Sequence, residues 1–182
     1  MPADIREWNR RIVTEFRSGA GFVRWSTEED LARGRPIPPL LAGFDPDQGV
    51  PIILVSHTGA VSGRRRTNPL MYHAVGNAFA VFATFGGSRQ PPAWYRNVTK
   101  NSAVTVEVGS TLIEATARVA FGSERELIWS EQVRRMPAFA DFAKAAGRRI
   151  PVVVLEPVDG AVTQSRDGRR ERDAGPVRGG AD

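Results

Sequence analysis

The residues whose types and spacing could do chemistry crowd into one stretch. From Thr58 the chain reads Thr-Gly-Ala-Val-Ser-Gly-Arg-Arg-Arg-Thr-Asn-Pro-Leu, ending at Leu70. Gly59 and Gly63 can take φ > 0 conformations that turn backbone N–H groups toward an anion. Arg64, Arg65 and Arg66 follow at once, with guanidiniums that match phosphate oxygens in geometry and charge. A glycine turn beside three arginines suits a phosphate-bearing cofactor. The ordinary alternative is a solvated, charged hairpin tip.

Such a cradle must be held still, and the flanking sequence supplies strands. Ile52 to Val55 is a continuous apolar run, as on a strand buried on both sides. Leu70–Val75 and Phe79–Phe85 flank Gly76-Asn77, a two-residue turn that closes a hairpin. Ala103–Val108 and Leu112–Phe121 pair across Gly109-Ser110, and Val104, Val106 and Val108 alternate with polar residues, which predicts one buried face. Ile150–Leu155 is the last strand. Between these lie a few helices. Ile5, Trp8, Ile12, Val13 and Phe16 fall on one side of a helix over residues 4–16. Pro92 opens a short helix carrying Ala93, Trp94 and Asn97. Another runs from Ser123 toward Met136, and Pro137 starts one with Phe139 and Phe142 on one side. Six mostly antiparallel strands with few helices predict a mainly β (α+β) fold, a small closed or partly open barrel.

Length and composition set the bounds. At 182 residues the chain fits one domain with overhang. Residues 1–49 read as an amphipathic helix and an irregular loop around Arg33–Pro39, residues 50–160 as the barrel, and residues 161–182 as a disordered tail. No cysteine is present, which excludes thiol nucleophiles and thiolate metal sites. No apolar run reaches the ~20 residues of a spanning helix and no secretory pattern opens the chain, so a cytoplasmic protein is expected. The first helix packs on the protein body in the simplest reading; resting on a membrane surface is its sharper alternative. The net charge is +5, and all but two of the 25 cationic residues are arginine. Acidic residues are interspersed, and the aromatics do not interleave with basic residues, which argues against a nucleic-acid partner.

Four segments then stand in order: the Thr58–Leu70 turn and hairpin, Gly86-Gly87, Pro92–Asn97 and Ile150–Pro157. Together they resemble the deazaflavin (F420)-dependent nitroreductase family, split β-barrel oxidoreductases that use coenzyme F420. The resemblance implies that Ser62, Arg64 and Arg66, with backbone from Ala60 and Val61, hold the cofactor's phosphate-bearing tail. It implies that Thr67, Asn68, Pro69 and Met71 line the deazaflavin ring, with Phe82, Ala83, Thr84 and Phe85 of the third strand beside it. Ala93, Trp94 and Asn97 then close the pocket, and Phe139, with Met71 and Trp94, lines the substrate side. Family members commonly carry a basic residue where Ala60 and Val61 stand, so the anion grip falls to Arg64–Arg66 or to Arg89. The implied activity is hydride transfer from reduced F420 to a small hydrophobic acceptor, either an activated C=C bond, a quinone or a nitro group, in a homodimer. That chemistry needs neither a metal nor an acid–base dyad. An FMN-dependent barrel of the same architecture and a non-catalytic lipid or cofactor carrier remain as alternatives.

Overall fold

The computed structural model describes residues 5–19, 21, 23, 51–159 and 164–165. In chain order these form α1 (Ile5–Ser18), β1 (Ile52–Thr58), β2 (Arg65–Val75), β3 (Ala78–Phe82), α2 (Ala93–Lys100), β4 (Ala103–Val108), β5 (Thr111–Val119), α3 (Gly122–Arg135), α4 (Ala138–Ala146), β6 (Val152–Pro157) and β7 (Gln164–Ser165). Strands pair antiparallel in the order β4-β1-β2-β3-β6-β5, and β4 also pairs with β5, which closes a ring of six. Closure leaves that ring without an exposed edge. The expected α+β barrel is the fold observed.

The apolar run of β1 is buried on both sides because its two faces meet different layers. Ile53 and Val55 point into the barrel beside Val81, Val106, Val153 and Leu155. Ile52 and Leu54 point outward and are covered by Ile12 and Phe16 of α1, with Val23. Full burial of side chains such as Ile12 and Phe16 stabilises by about 1.5–3 kcal/mol each. α1 therefore lays Ile12 and Phe16 on the barrel, with Trp8 and Val13 partly buried beside them. Arg17 at its end closes a two-pronged ion pair on Glu107 of β4 at 2.6 and 3.2 Å. On the opposite outer face, α3 and α4 lay Ile128, Met136 and Phe139 over Ala80, Phe82, Val152 and Val154. No helix among the described residues is long and apolar enough to cross a membrane.

The antiparallel ring sorts its connections to two ends. The Gly76-Asn77 and Gly109-Ser110 hairpins close one. The β1–β2 turn, the β3–β4 connection with α2, and the β5–β6 connection with α3 and α4 all leave from the other. The glycine turn, the glycine loop and the Trp94 helix thus share one end of the barrel although they are far apart in sequence.

Three expectations need correction. β3 stops at Phe82, not Phe85: Thr84 is helical (φ −69, ψ −43) and Phe85–Gly87 makes a 3-10 turn, with Phe85 itself at φ 49. A strand cannot continue through that geometry. β5 likewise ends at Val119, short of Phe121. Within the segment read as a disordered tail, Gln164 and Ser165 pair with Leu112 and Thr111 of β5, which offers them free backbone groups. The rest of residues 161–182 and the loop at Arg33–Pro39 lie outside the described residues.

Candidate functional site

The turn after β1 is built by its own backbone. The Gly59 N–H donates to Arg64 O and the Gly63 N–H to Gly59 O, both at 2.9 Å. Gly63 takes the expected left-handed conformation, φ 63. Gly59 does not; its space is tight, because a Cβ there would lie 2.7 Å from the rotatable Ser62 Oγ and 3.3 Å from Arg64 O. The Ala60 N–H is committed to Asn97 Oδ1 at 2.9 Å. Of the turn's amides, those of Val61 and Ser62 have no partner among the described residues, and Val61 is fully exposed at the tip. The turn's spare backbone donors among the described residues are therefore those of Val61 and Ser62, not of Ala60.

Strand alternation separates the three arginines. Arg65 turns to the outer face, where Nη2 donates to Thr105 Oγ1 at 2.9 Å and Thr105 in turn donates to the Glu114 carboxylate. Arg64 and Arg66 are exposed and carry no hydrogen-bond or ion-pair partner among the described residues. Two unpaired guanidiniums beside two open N–H groups have the donor set and the charge to hold a phosphate-bearing tail.

Beneath the turn lies a network centred on His57, which follows the apolar run of β1. His57 is 3% exposed and faces the interior with Arg66, its register partner on β2. Asn97 Oδ1 takes the Ala60 N–H, so its Nδ2 must be the atom that donates to His57 Nδ1, at 3.4 Å. The ring proton then sits on Nε2, which donates to Asn68 Oδ1 at 2.9 Å. Burial lowers the His57 pKa, opposed by its bonds to Asn68 and the Thr58 backbone and reinforced by Arg66, so the ring is held neutral. The signal legible in sequence was only a histidine in phase with Ile53 and Val55.

The ring-lining residues implied by the resemblance divide between faces. Asn68 points inward to His57. Thr67, Pro69 and Met71 point outward: Thr67 Oγ1 shares a 2.7 Å hydrogen bond with Ser56 Oγ, Pro69 is buried opposite Leu54, and Met71 packs between the α1 layer and the α3–α4 layer. Trp94 is in the barrel interior with Ala83, whereas Phe82 and Phe139 meet edge-on outside it, their centroids 5.4 Å apart. Phe139, Met71 and Trp94 are thus not brought into one substrate pocket, because alternation puts a wall of the barrel between Trp94 and the other two. Met71 instead borders a cleft of about 400 Å³ with His73, Gln132 and Met136, where His73 Nδ1 and Gln132 Oε1 are 2.9 Å apart. Thr84 is half-buried, and Phe85 and Ala93 are exposed at the barrel end.

Arg148, just before β6, was also missed. Its guanidinium donates to the carbonyls of Ala83 at 2.9 Å and Ser88 at 3.0 Å, with longer approaches to Thr84 and Gln90. It thereby fixes the loop that carries Ala83, Thr84 and Phe85, with burial lowering its pKa. Hydrogen bonding to carbonyls far away in sequence leaves no local pattern to read. Among the described residues no cluster of three or more His, Asp or Glu side chains could hold a metal ion.

A closed six-strand antiparallel barrel flanked by helices, with the glycine turn, the amide network and the glycine loop at one end, is a split barrel. A solved F420H2-dependent reductase, FDR-A, is 38% identical, with a TM-score of 0.55 over 58% of this chain and 94% of that one. A second solved relative, described as a domain-swapped dimer, is 34% identical, with a TM-score of 0.55 over 71% of this chain and all of that one. The chain belongs to the F420H(2)-dependent quinone reductase family, whose sequence model matches residues 44–157. Rv3178 of Mycobacterium tuberculosis, which carries the same family name, is 34% identical over 64% of this chain and 96% of its own length. The F420H(2)-dependent quinone reductase Rv1261c of that organism is 30% identical over 58% of this chain and 72% of its own. The expectation of an F420-dependent reductase therefore holds over the FMN and carrier alternatives, with a quinone as acceptor at the level of the family.

Proposed function

We propose that this protein holds the acidic tail of F420 at the Gly59–Arg66 hairpin and reduces a hydrophobic quinone at the adjoining end of the barrel. The observation that carries this reading is the pair of guanidiniums, Arg64 and Arg66, that have no partner among the described residues and stand beside the Val61 and Ser62 N–H groups, which have none there either. Arg65, tied to Thr105, takes no part. Reduced F420 supplies a hydride when bound, and the quinone accepts it together with a proton to become a hydroquinone.

The protein's own contribution is placement. The turn fixes the tail, and Asn68 and the Ala83–Phe85 loop border the ring on rigid supports. Trp94 and Val98 plug the barrel beneath and keep water out. Ala93 and Phe85 form an exposed, weakly polar mouth through which a quinone approaches. The homodimer is part of the proposal and rests on the relative described as a dimer; light scattering on the purified protein measures it.

The test is anaerobic oxidation of F420H2, followed by deazaflavin absorbance, with a soluble naphthoquinone as acceptor. Turnover is expected with the quinone. Saturable cofactor binding with no turnover on naphtho- or benzoquinones would overturn the acceptor assignment while leaving the tail site intact.

A further inference from the structure

We propose that His57 is a positioning residue for the F420 tail, setting through Asn97 the direction of the first peptide in the turn that presents Val61, Ser62, Arg64 and Arg66. The inference rests on the tail-binding reading of that turn.

The argument is one of donors and acceptors. Asn97 has a single amide orientation that meets both neighbours, with Oδ1 on the Ala60 N–H and Nδ2 on His57 Nδ1. His57 has a single tautomer that meets both of its own neighbours, accepting at Nδ1 and donating from Nε2 to Asn68. The three side chains come from three elements, β1, α2 and β2, and each bond orients the next. A proton added at Nδ1 faces the Asn97 NH2 donor to donor. Turning the amide relieves that clash only by setting Nδ2 against the Ala60 N–H. Ring protonation is thereby transmitted to the turn, which must release one of its buried bonds.

Besides Asn97 and Asn68 the ring meets the Thr58 backbone, which favours its protonated form. β2 faces it with Asn68 and with Arg66, whose charge opposes protonation. α2 turns Trp94, Asn97 and Val98 inward, and β4 turns Val104 and Val106 inward. Arg66 is thus the charged group acting on the ring, and no carboxylate among the described residues stands by to stabilise an imidazolium there. A site meant only to pack would be filled by an apolar residue at lower desolvation cost.

The test follows the full-length protein uniformly labelled with 15N, reading the His57 ring tautomer and the Ala60 amide by NMR across pH while F420 affinity is measured by fluorescence. The expected result is an Nε2–H tautomer at neutral pH, ring and Ala60 amide shifting at one shared pKa, and F420 affinity falling at least about tenfold as the ring takes its proton. Asn97→Asp should reverse the slope, because a carboxylate there accepts the Ala60 N–H and calls for a proton on Nδ1. Asn68→Asp, a second variant that leaves Asn97 untouched, should shift the loss of affinity to higher pH by stabilising the charged ring from the other side. Near-UV circular dichroism establishes folding at each pH.

An affinity that rises as the ring charges, or an Ala60 amide blind to the titration, overturns the proposal. In the second case, a loss of binding on replacing Arg64 and Arg66 would show that the tail site itself stands. Indifference of F420 binding to pH, to Arg64 and to Arg66 alike overturns both.

Discussion

Asn97 Oδ1 accepts the Ala60 N–H at 2.9 Å across 37 residues of sequence, so α2 and the β1–β2 turn are one structural unit. Removing that acceptor by Asn97→Ala takes a partner from the half-buried Ala60 N–H and from the buried His57 Nδ1. The expected cost is about 1–3 kcal/mol, read as a lower urea midpoint with an unchanged slope.

Gly59 is set apart by tight space, not by an unusual φ. In Gly59→Ala the new methyl would press on Ser62 Oγ at 2.7 Å, displacing the residue whose N–H is one of the two open donors. F420 affinity should fall about tenfold, equivalent to about 1.4 kcal/mol, with a much smaller change in thermal midpoint. A stability loss as large as the affinity loss would place Gly59 in the fold and not in the site.

The Phe82–Pro92 loop hangs on Arg148. Arg148→Met should cost about 1–3 kcal/mol through the unpaired Ala83 and Ser88 carbonyls. Amide exchange should accelerate across residues 83–90 before any other segment. Arg148→Lys should recover part of the protection, since an ammonium reaches fewer of those carbonyls at once.

Phe139 is 2% exposed and packs edge-on against Phe82, Trp129 and Phe142. Phe139→Ala should therefore cost about 3–5 kcal/mol of stability. A large rise in quinone KM with stability intact would instead place this ring in the substrate pocket.

His57 also predicts a pH dependence of folding. Its folded pKa is depressed by burial, so near pH 6.5 and below the unfolded chain binds the proton that the folded chain refuses. The stability it contributes is complete above the unfolded pKa and is lost as pH falls from there toward the folded value, by at most about 1.4 kcal/mol per pH unit. Urea midpoints of wild type and His57→Phe, compared at about pH 7.5 and pH 5.5, should differ in slope, with the variant flatter over that interval.

What could be read in the sequence was local. The β1 run, the Gly76-Asn77 hairpin and the alternation of Val104 and Val106 each carry their period in consecutive residues, and all appear as expected. The turn was legible too, through its glycines and arginines. The division of labour within it was not. Arg64, Arg65 and Arg66 are alike as letters, and only the register that sets Arg65 against Thr58 and Arg66 against His57 tells which is spent on Thr105. His57, Asn97 and Arg148 were opaque for the same reason, since their partners lie between 11 and 65 residues away. The overlong third strand has a different cause: Thr84 and Phe85 have strand-forming side chains, but the Arg148 clamp and the turn geometry of Phe85 override that preference.

The central claim, that Arg64 and Arg66 grip the F420 tail while Arg65 does not, is tested most directly by titrating F420 fluorescence with wild type, Arg64→Ala/Arg66→Ala and Arg65→Ala proteins at low and high salt. Saturable quenching by wild type, a loss of affinity of about 100-fold in the double variant with a weaker salt dependence, and near-wild-type binding by Arg65→Ala are the predicted results. Undiminished binding by the double variant, or no binding by wild type at high micromolar protein, would contradict the account.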